Sequence, residues 1–335
     1  MIGTYEVSQA TGARSRIVTA AETDWGVVNA SPNWKYLNVI AGEGLDENIA
    51  IYRSNVIRRD RMMNQSQRGS TRPGGALPFE LAPMGVSQLM YHLLHRKTST
   101  TGAGPYVHVL KGDDGTAGVP RGFTIEKGFL DLPTPEYAGI LGARVASMSL
   151  AFNVDAMATG SFQILGRQWY SSTTSLVGAS TPDDLTADPF TSVQCSMSVY
   201  ESSSSVLLGT AKTLSLNIDN HYTGDNNVLG SRYLANLKPG TREITASGTF
   251  IFDSRYLYDK AVNGTATKLQ MTVWNGTYGF DFLLPNFEFV PNNSSPKINR
   301  DGGLDIDLGG MAAKSTSDAT DIIVTITSPE ADITN

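Results

Sequence analysis

Ser294 and Lys297 are the first residues whose types and spacing could do chemistry, because Ser-x-x-Lys is a spacing of penicillin-binding enzymes. That chemistry needs the pair at a helix start, whereas here it sits in the turn Pro291-Asn292-Asn293-Ser294-Ser295-Pro296. His92 and His95, at i and i+3 on one expected helix, could offer two imidazoles to a metal. No third ligand accompanies them, so a surface or boundary pair is the better reading. Asp301, Asp305 and Asp307 could hold calcium loosely, but their spacing fits no EF-hand and a solvated acidic turn accounts for them. Glu126, Asp131 and Glu136 are carboxylates an acid–base mechanism could use, yet nothing in their spacing makes them converge. The single cysteine, Cys195, lies in Ser192-Val193-Gln194-Cys195-Ser196-Met197 and reads as a packed strand thiol. One cysteine excludes an internal disulfide framework and a multi-cysteine metal site. Gly-x-Ser-x-Gly, His-Glu-x-x-His, the phosphate-cradling Gly-x-x-x-x-Gly-Lys and a strand-borne Gly-x-Gly-x-x-Gly are all missing. The residues assign no catalytic group, no metal and no cofactor, and they do not support an enzyme.

The elements that would position any site are strands. Charged residues make up only 17% of the 335, with 33 glycines and abundant Ser, Thr and Asn, the profile of sheets with many turns. A net charge of -6 argues against a dedicated nucleic-acid binder, which would be basic. Met1 to Ala10 lacks a basic-then-apolar leader, and no run approaches a membrane span. The expectation is a protein made and kept in the cytoplasm unless it is exported within a larger particle.

Two stretches read alike, from about Asn48 to Lys127 and from about Ala211 to Val290. Each is a strand, a long polar loop, a second strand, a short helix and two more strands. The first has strands at 49–52, 76–81, 106–110 and 122–126, with a helix over 84–96. The second has strands at 214–218, 248–252, 268–274 and 278–284, with a helix over 254–262. Val86, Leu89, Met90, Leu93 and Leu94 share one face of the first helix, and Asp253 is an N-cap for the second. Both helices are expected to cover one face of a sheet. Between the stretches, 147–152 and 161–165 alternate with period two and predict a hairpin. A last strand is expected at 322–326. The expected organisation is an N-terminal arm over 1–35 anchored by Trp25 and Trp34, and a first β-domain over 36–169. A Ser/Thr/Asp/Pro-rich linker over 170–188 then leads to a second β-domain over 189–335 that ends in a C-terminal arm.

Charge is segregated. From Arg53 to Arg72 there are six arginines (Arg53, Arg58, Arg59, Arg61, Arg68, Arg72) against Asp60, a net of +5. From Asp301 to Asn335 there are seven acidic residues against Lys314, a net of -6. Opposite charges on one chain suit head-to-tail contacts between copies, although a solvated loop and a frayed tail would read the same way. The polar positions of the alternating strands are small and uncharged: Ser147, Ser149, Ser161, Gln163, Thr213, Ser215 and Asn217. Such a lining would let something slide past without grip, and plain solvent exposure is the alternative.

The order of segments resembles the tail tube proteins of long-tailed bacteriophages, specifically the larger siphophage-type major tail proteins with a duplicated domain. The likeness is carried by Ala21-Glu22-Thr23-Asp24-Trp25-Gly26, the Ile51–Arg61 stretch with its basic run, Gly75–Leu81 with the helix that follows, and Gly122–Glu126. Further on it is carried by Asp188–Thr191, Leu214–Asn220, Gly248–Phe250 and Pro285–Phe289. It spans most of residues 15–290. The resemblance implies a mainly β chain of two tube-like β-sandwich or barrel domains, each with a short flanking helix, in a pseudo-duplicated subunit. It implies that rings of this protein stack into a hollow conduit for double-stranded DNA, with three chains per ring in pseudo-sixfold symmetry or, alternatively, six. The long loops would reach the adjacent ring: Arg53–Arg72 in the first unit, and Asp219, Asn220, His221, Tyr222, Arg232 and Tyr233 in the second. Tape measure, tail terminator and tip proteins would be further partners, DNA would pass without specific binding, and the protein would reside in the virion tail. The alternative is a β-rich adhesin or carbohydrate-binding module on a particle surface. That reading expects aromatics clustered on one sheet, whereas the tryptophans are dispersed at 25, 34, 169 and 274.

Overall fold

The computed structural model describes residues 10–334 apart from 58, 60, 61, 116–120, 184–186, 202, 203, 208–210, 224, 225, 253, 254 and 291–302. The chain is mainly β, as expected from composition and alternation. In chain order, β1 (Ser15–Ala21) and β2 (Lys35–Tyr36) precede the hairpin strands β3 (Ile49–Tyr52) and β4 (Gln67–Thr71). Next come β5 (Gly74–Glu80), α1 (Ser87–Leu94), β6 (His95–Thr101), β7 (Tyr106–Gly112) and β8 (Phe123–Phe129). The middle holds β9 (Glu136–Asn153), β10 (Thr159–Leu165), β11 (Gln168–Ser172), β12 (Cys195–Glu201) and β13 (Ser204–Leu207). The remainder is β14 (Ala211–Asp219), β15 (Glu243–Ile251), α2 (Tyr256–Asn263), β16 (Thr267–Trp274), β17 (Gly279–Val290), β18 (Asp305–Ala312) and β19 (Ile323–Ser328).

Two antiparallel layers pack face to face. The first runs β5-β10-β9-β14-β15-β18, and the second runs β6-β7-β19-β17-β16-β12-β13. Period-two alternation decides which side of each strand is covered. In β14, for example, Leu214, Leu216 and Ile218 are buried while Thr213, Ser215 and Asn217 point away. The apolar sides of both layers meet in one cluster that includes Phe162, Leu150, Leu216 and Phe250 from the first and Leu269, Phe282 and Val324 from the second. Two long strands tie the layers together. The start of β9 leaves the first layer to pair with β8 and β11, with a bulge where β10 ends its register. The end of β17 pairs with β18.

Residues 15–21, expected within an arm, form β1 and pair along their length with β8. Trp34 packs with Val18, Ala20 and Val177 in a small second cluster. Trp25 donates its indole N–H to the Gly142 carbonyl at 2.8 Å and lies under the Arg144 and Arg167 guanidinium groups. Both tryptophans therefore act as anchors. The last strand, β19, sits in the middle of the second layer between β7 and β17.

Helix α1 is shorter than expected at both ends, whereas α2 starts at Tyr256 and runs one residue past its expected end. α1 stops because His95 adopts a left-handed φ of 64°, its N–H returning to Tyr91, and the chain turns straight into β6. The expected single apolar face is corrected: Ser87, Gln88 and His92 are buried as well, so α1 is embedded on nearly every side, against β9, β6 and β7. α2 buries only Leu257, Lys260 and Ala261 and ends at Gly264, whose φ of 58° suits glycine. Its cap position is Arg255, and Asp253 lies outside the described residues.

The two similar stretches share a strand, a helix and an antiparallel hairpin: β5-α1-β6-β7 and β15-α2-β16-β17. They differ before that. β3 and β4 form a separate two-stranded ribbon, whereas β14 and β15 are central strands of the first layer. The hairpin strands β9 and β10, which lie between the two stretches in sequence, join them in the first layer: β14 pairs with β9, and β5 pairs with β10.

Candidate functional site

The outward side of the first layer is the most distinctive surface. Reading across the strands, Pro78, Ser161, Ser149, Asn217, Thr245 and Met311 stand in register. The neighbouring rows hold Gln163, Ser147, Asp219 and Glu243 on one side, and Thr159, Ala151, Ser215, Ser247 and Gly309 on the other. All seven small polar residues picked from the sequence, Ser147, Ser149, Ser161, Gln163, Thr213, Ser215 and Asn217, therefore share one face of the layer, on its adjacent strands β10, β9 and β14. Some hydroxyls are satisfied within the face: Ser215 Oγ lies 2.6 Å from Ser247 Oγ, and Thr249 Oγ1 donates to Asp307 at 2.7 Å. The charged members are acidic: Glu80, Asp219, Glu243, Asp305 and Asp307. Lys212 stands at a bulge on the rim and donates to Asp305 at 2.7 Å, which neutralises it. No arginine stands on this face among the described residues. The net field is negative over a surface of hydroxyls and amides.

The edges of this layer differ. β5 is already hydrogen-bonded on its outer side by the extended segment 40–46, through Ile40 to Pro78, Gly44 to Ala76 and Asp46 to Gly74. At the opposite edge, 305–308 of β18 carry no second partner strand among the described residues.

Both long loops leave the layer at one end, where β14 finishes and β15 and β5 begin. The first is the β3–β4 ribbon, on which Arg53, Arg59, Arg68 and Arg72 are exposed; Arg58 and Arg61 lie outside the described residues. Apolar members are exposed as well, Ile57 at 97% and Met63 at 80%, together with Val56 and Met62. These residues escaped a reading that weighed only charge, although Val56-Ile57 and Met62-Met63 interrupt an otherwise polar loop. At the ribbon's base, Thr71 N–H donates to the Arg232 carbonyl of the second loop at 2.9 Å. The second loop is mixed. Asp219, His221, Arg232 and Tyr233 are exposed, and so are Val228 and Leu229. Asn220 and Tyr222 turn inward. Asn220 is buried, and the Tyr222 hydroxyl meets His95 Nε2 at 3.0 Å with its pKa pushed up to about 12 by burial.

The other candidate groups are structural in setting. The expected surface or boundary histidine pair is corrected at His92, which is 2% exposed with its ring 4.5 Å from that of Phe123, while His95 is half-buried. Burial lowers the pKa of both His92 and His95 to about 3. Glu126 is buried on β8 and accepts from Tyr170, Ser175, Leu176 and Arg16, tying the strand to the segment after β11. Asp131 binds Thr11, and Glu136 is exposed at the start of β9, so the three carboxylates serve different partners. Asp305 and Asp307 lie on strand β18 rather than in a turn, and Asp301, Ser294 and Lys297 lie outside the described residues. Cys195 opens β12 half-buried, its thiol pushed up to about 11 by burial. Among the described residues no group of three or more His, Cys, Asp or Glu side chains is gathered to hold a metal, and no helix is long and apolar enough to cross a membrane.

Residues 12–331, nearly the whole chain, match the model of a family described as phage tail tube protein. No curated protein matches the chain.

Proposed function

Because the chain belongs to the phage tail tube protein family, we propose that the polar face of the β5-β10-β9-β14-β15-β18 layer lines the bore through which double-stranded DNA leaves the virion. The protein is a structural subunit of a phage tail tube, assembles with copies of itself and resides in the virion tail. The observation that carries the proposal is the composition of that face: rows of Ser, Thr, Asn and Gln with acidic residues, and a single rim lysine already paired. DNA carries about one negative charge per 1.7 Å of axis. Arginines in the wall would hold each passing phosphate and have to release it again. Hydroxyls and carboxylates do not grip.

The subunit carries two repeats, and the β9–β14 seam within one chain has its counterpart between chains. Three chains then close a ring of pseudo-sixfold symmetry, with 305–308 of β18 as the edge left to join a neighbour. The Arg53–Arg72 ribbon and the 219–242 loop reach the adjacent ring. Tape measure, terminator and tip proteins complete the tail, and the chain performs no catalysis.

Electron microscopy of the purified chain tests this. Hollow tubes whose reconstruction puts Ser149 and Asn217 on the bore are expected. Dispersed globules, or a bore walled by another face, would overturn it.

A further inference from the structure

The ends of the first layer are unlike. At one end stands the β3–β4 ribbon with Ile57, Met62 and Met63 in solvent and Arg53, Arg59 and Arg68 beside them. At the other end, where β9 finishes and β14 begins, a groove of about 210 Å³ opens between the layers. Phe152, Val154, Cys195, Met197 and Leu214 form its apolar wall, while polar side chains including Lys212, paired with Asp305, complete the lining. The β9–β10 turn and the start of β12 frame it, held by Ser192 N–H to the Ala156 carbonyl at 3.0 Å. Acidic side chains rim this end: Glu80, Asp155, Asp305 and Asp307 are all at least partly exposed there, with Lys212 tied to Asp305.

From this we infer that the groove is the receptor for the ribbon of a second copy of this chain, with Ile57 or a Met62/Met63 side chain as the inserted group. Three observations converge on that occupant. The apolar donor and the apolar acceptor lie at opposite ends of the same strands, so one copy offers each to a neighbour and the contact repeats head to tail without limit. A dry apolar cavity of roughly 150 Å³ holds a benzene ring, so a groove of this size takes one or two aliphatic side chains. The basic flanks of the ribbon meet an acidic rim. Neither surface is complete alone: among the described residues nothing covers Ile57, and the groove opens to solvent.

The inference rests on the tube reading and adds to it the surface that receives the ribbon. Cys195 makes it testable, because it is the only thiol in the chain and it lines the groove. In tubes of the parent protein, labelling of Cys195 by a maleimide should be lost relative to the dispersed chain. In tubes of Ile57→Cys or Met63→Cys, a short bismaleimide should yield a ladder of dimers, trimers and longer multimers, not dimers alone. If Cys195 labels as fast in tubes as in the dispersed chain, or if neither variant gives a ladder in tubes visible by microscopy, the groove is not the receptor while the tube reading stands. If the parent forms no tubes under any condition, that reading falls and takes this one with it.

Discussion

The side-chain amide of Asn220 donates to the carbonyl of Leu93 at 2.8 Å, joining the base of the second long loop to the last turn of α1. The Asn220 N–H also bonds the Ala146 carbonyl, and its own carbonyl accepts from Gly240. A helix end has carbonyls with no partner inside the helix, and buried ones must be satisfied from elsewhere. Asn220 does this across the boundary between the two similar stretches. Asn220→Ala should lower unfolding stability by about 1–3 kcal/mol, the cost of a stranded buried carbonyl. Urea denaturation measures it, and an unchanged midpoint would remove Asn220 from this role.

How much of this was visible beforehand differs by element. The alternation of 147–152, 161–165 and 214–218 was enough to place Ser149, Ser161 and Asn217 on one face, because a strand of period two has no other way to bury its apolar half. It could not say that β9 and β14 are neighbours, since that pairing joins residues 60 to 72 positions apart. The burial of His92 was equally hidden. Helical spacing marks one apolar face, but α1 packs against β9, β6 and β7, and Ser87, Gln88 and His92 are buried with its apolar residues. Ile57 and Met63 are legible as apolar types, but composition alone does not tell an exposed apolar tip from a buried one in a loop dominated by arginines.

His92 gives the fold a defined acid sensitivity. Its folded pKa, about 3, lies below the ordinary histidine value, so the unfolded chain binds the proton more readily. Stability from this group is therefore complete above about pH 6.5 and is lost as pH falls from there toward 3, at up to about 1.4 kcal/mol per pH unit. His92→Phe keeps the ring against Phe123 and removes the titration. Between pH 6.5 and 4 the variant should lose less stability than the parent. Equal slopes in denaturation series across that range would refute the assignment.

Lys35 and Glu330 form a buried pair at 3.7 Å, each side chain 3% exposed, with Lys35 Nζ also donating to the Asp332 carbonyl at 2.6 Å. The pair ties β2 to the segment after β19. Lys35→Met strands the carboxylate and should cost about 3–5 kcal/mol near neutral pH. Burial already raises the Glu330 pKa, so the folded chain takes up a proton before the unfolded one does. As pH falls the stranded group neutralises and the penalty shrinks. The gap between parent and variant should be larger at pH 8 than at pH 5, and a gap independent of pH would contradict this.

The bore assignment predicts a defect that spares assembly. Ser149 and Asn217 face outward from the layer and hold up no part of the core. Ser149→Arg with Asn217→Arg should cost no more than about 1 kcal/mol, because the two arginines oppose each other on neighbouring strands but remain in solvent. Particles carrying both should form normal tails yet release DNA more slowly, with the delay relieved at high salt as phosphate contacts are screened. Normal release kinetics would place this face elsewhere than the bore.

Charge and apolar burial make separable contributions to stacking. Exposed ion pairs are worth about 0–1 kcal/mol, whereas burying an isoleucine side chain is worth about 1.5–3 kcal/mol. Each 1.4 kcal/mol is about tenfold in affinity. Arg59→Glu should then raise the critical concentration for tube assembly by less than about tenfold per contact, and 1 M salt should mimic it. Ile57→Asp should raise it further, by tenfold or more, with no rescue at any salt, because a carboxylate cannot enter an apolar groove unpaired. Both residues are exposed in the single chain, so neither change should disturb the fold. Sedimentation across a concentration series reads the difference directly. If Arg59→Glu matches Ile57→Asp, or if joint reversal at Arg58, Arg59 and Arg61 alone abolishes stacking, the arginines hold the rings together and the apolar tip does not.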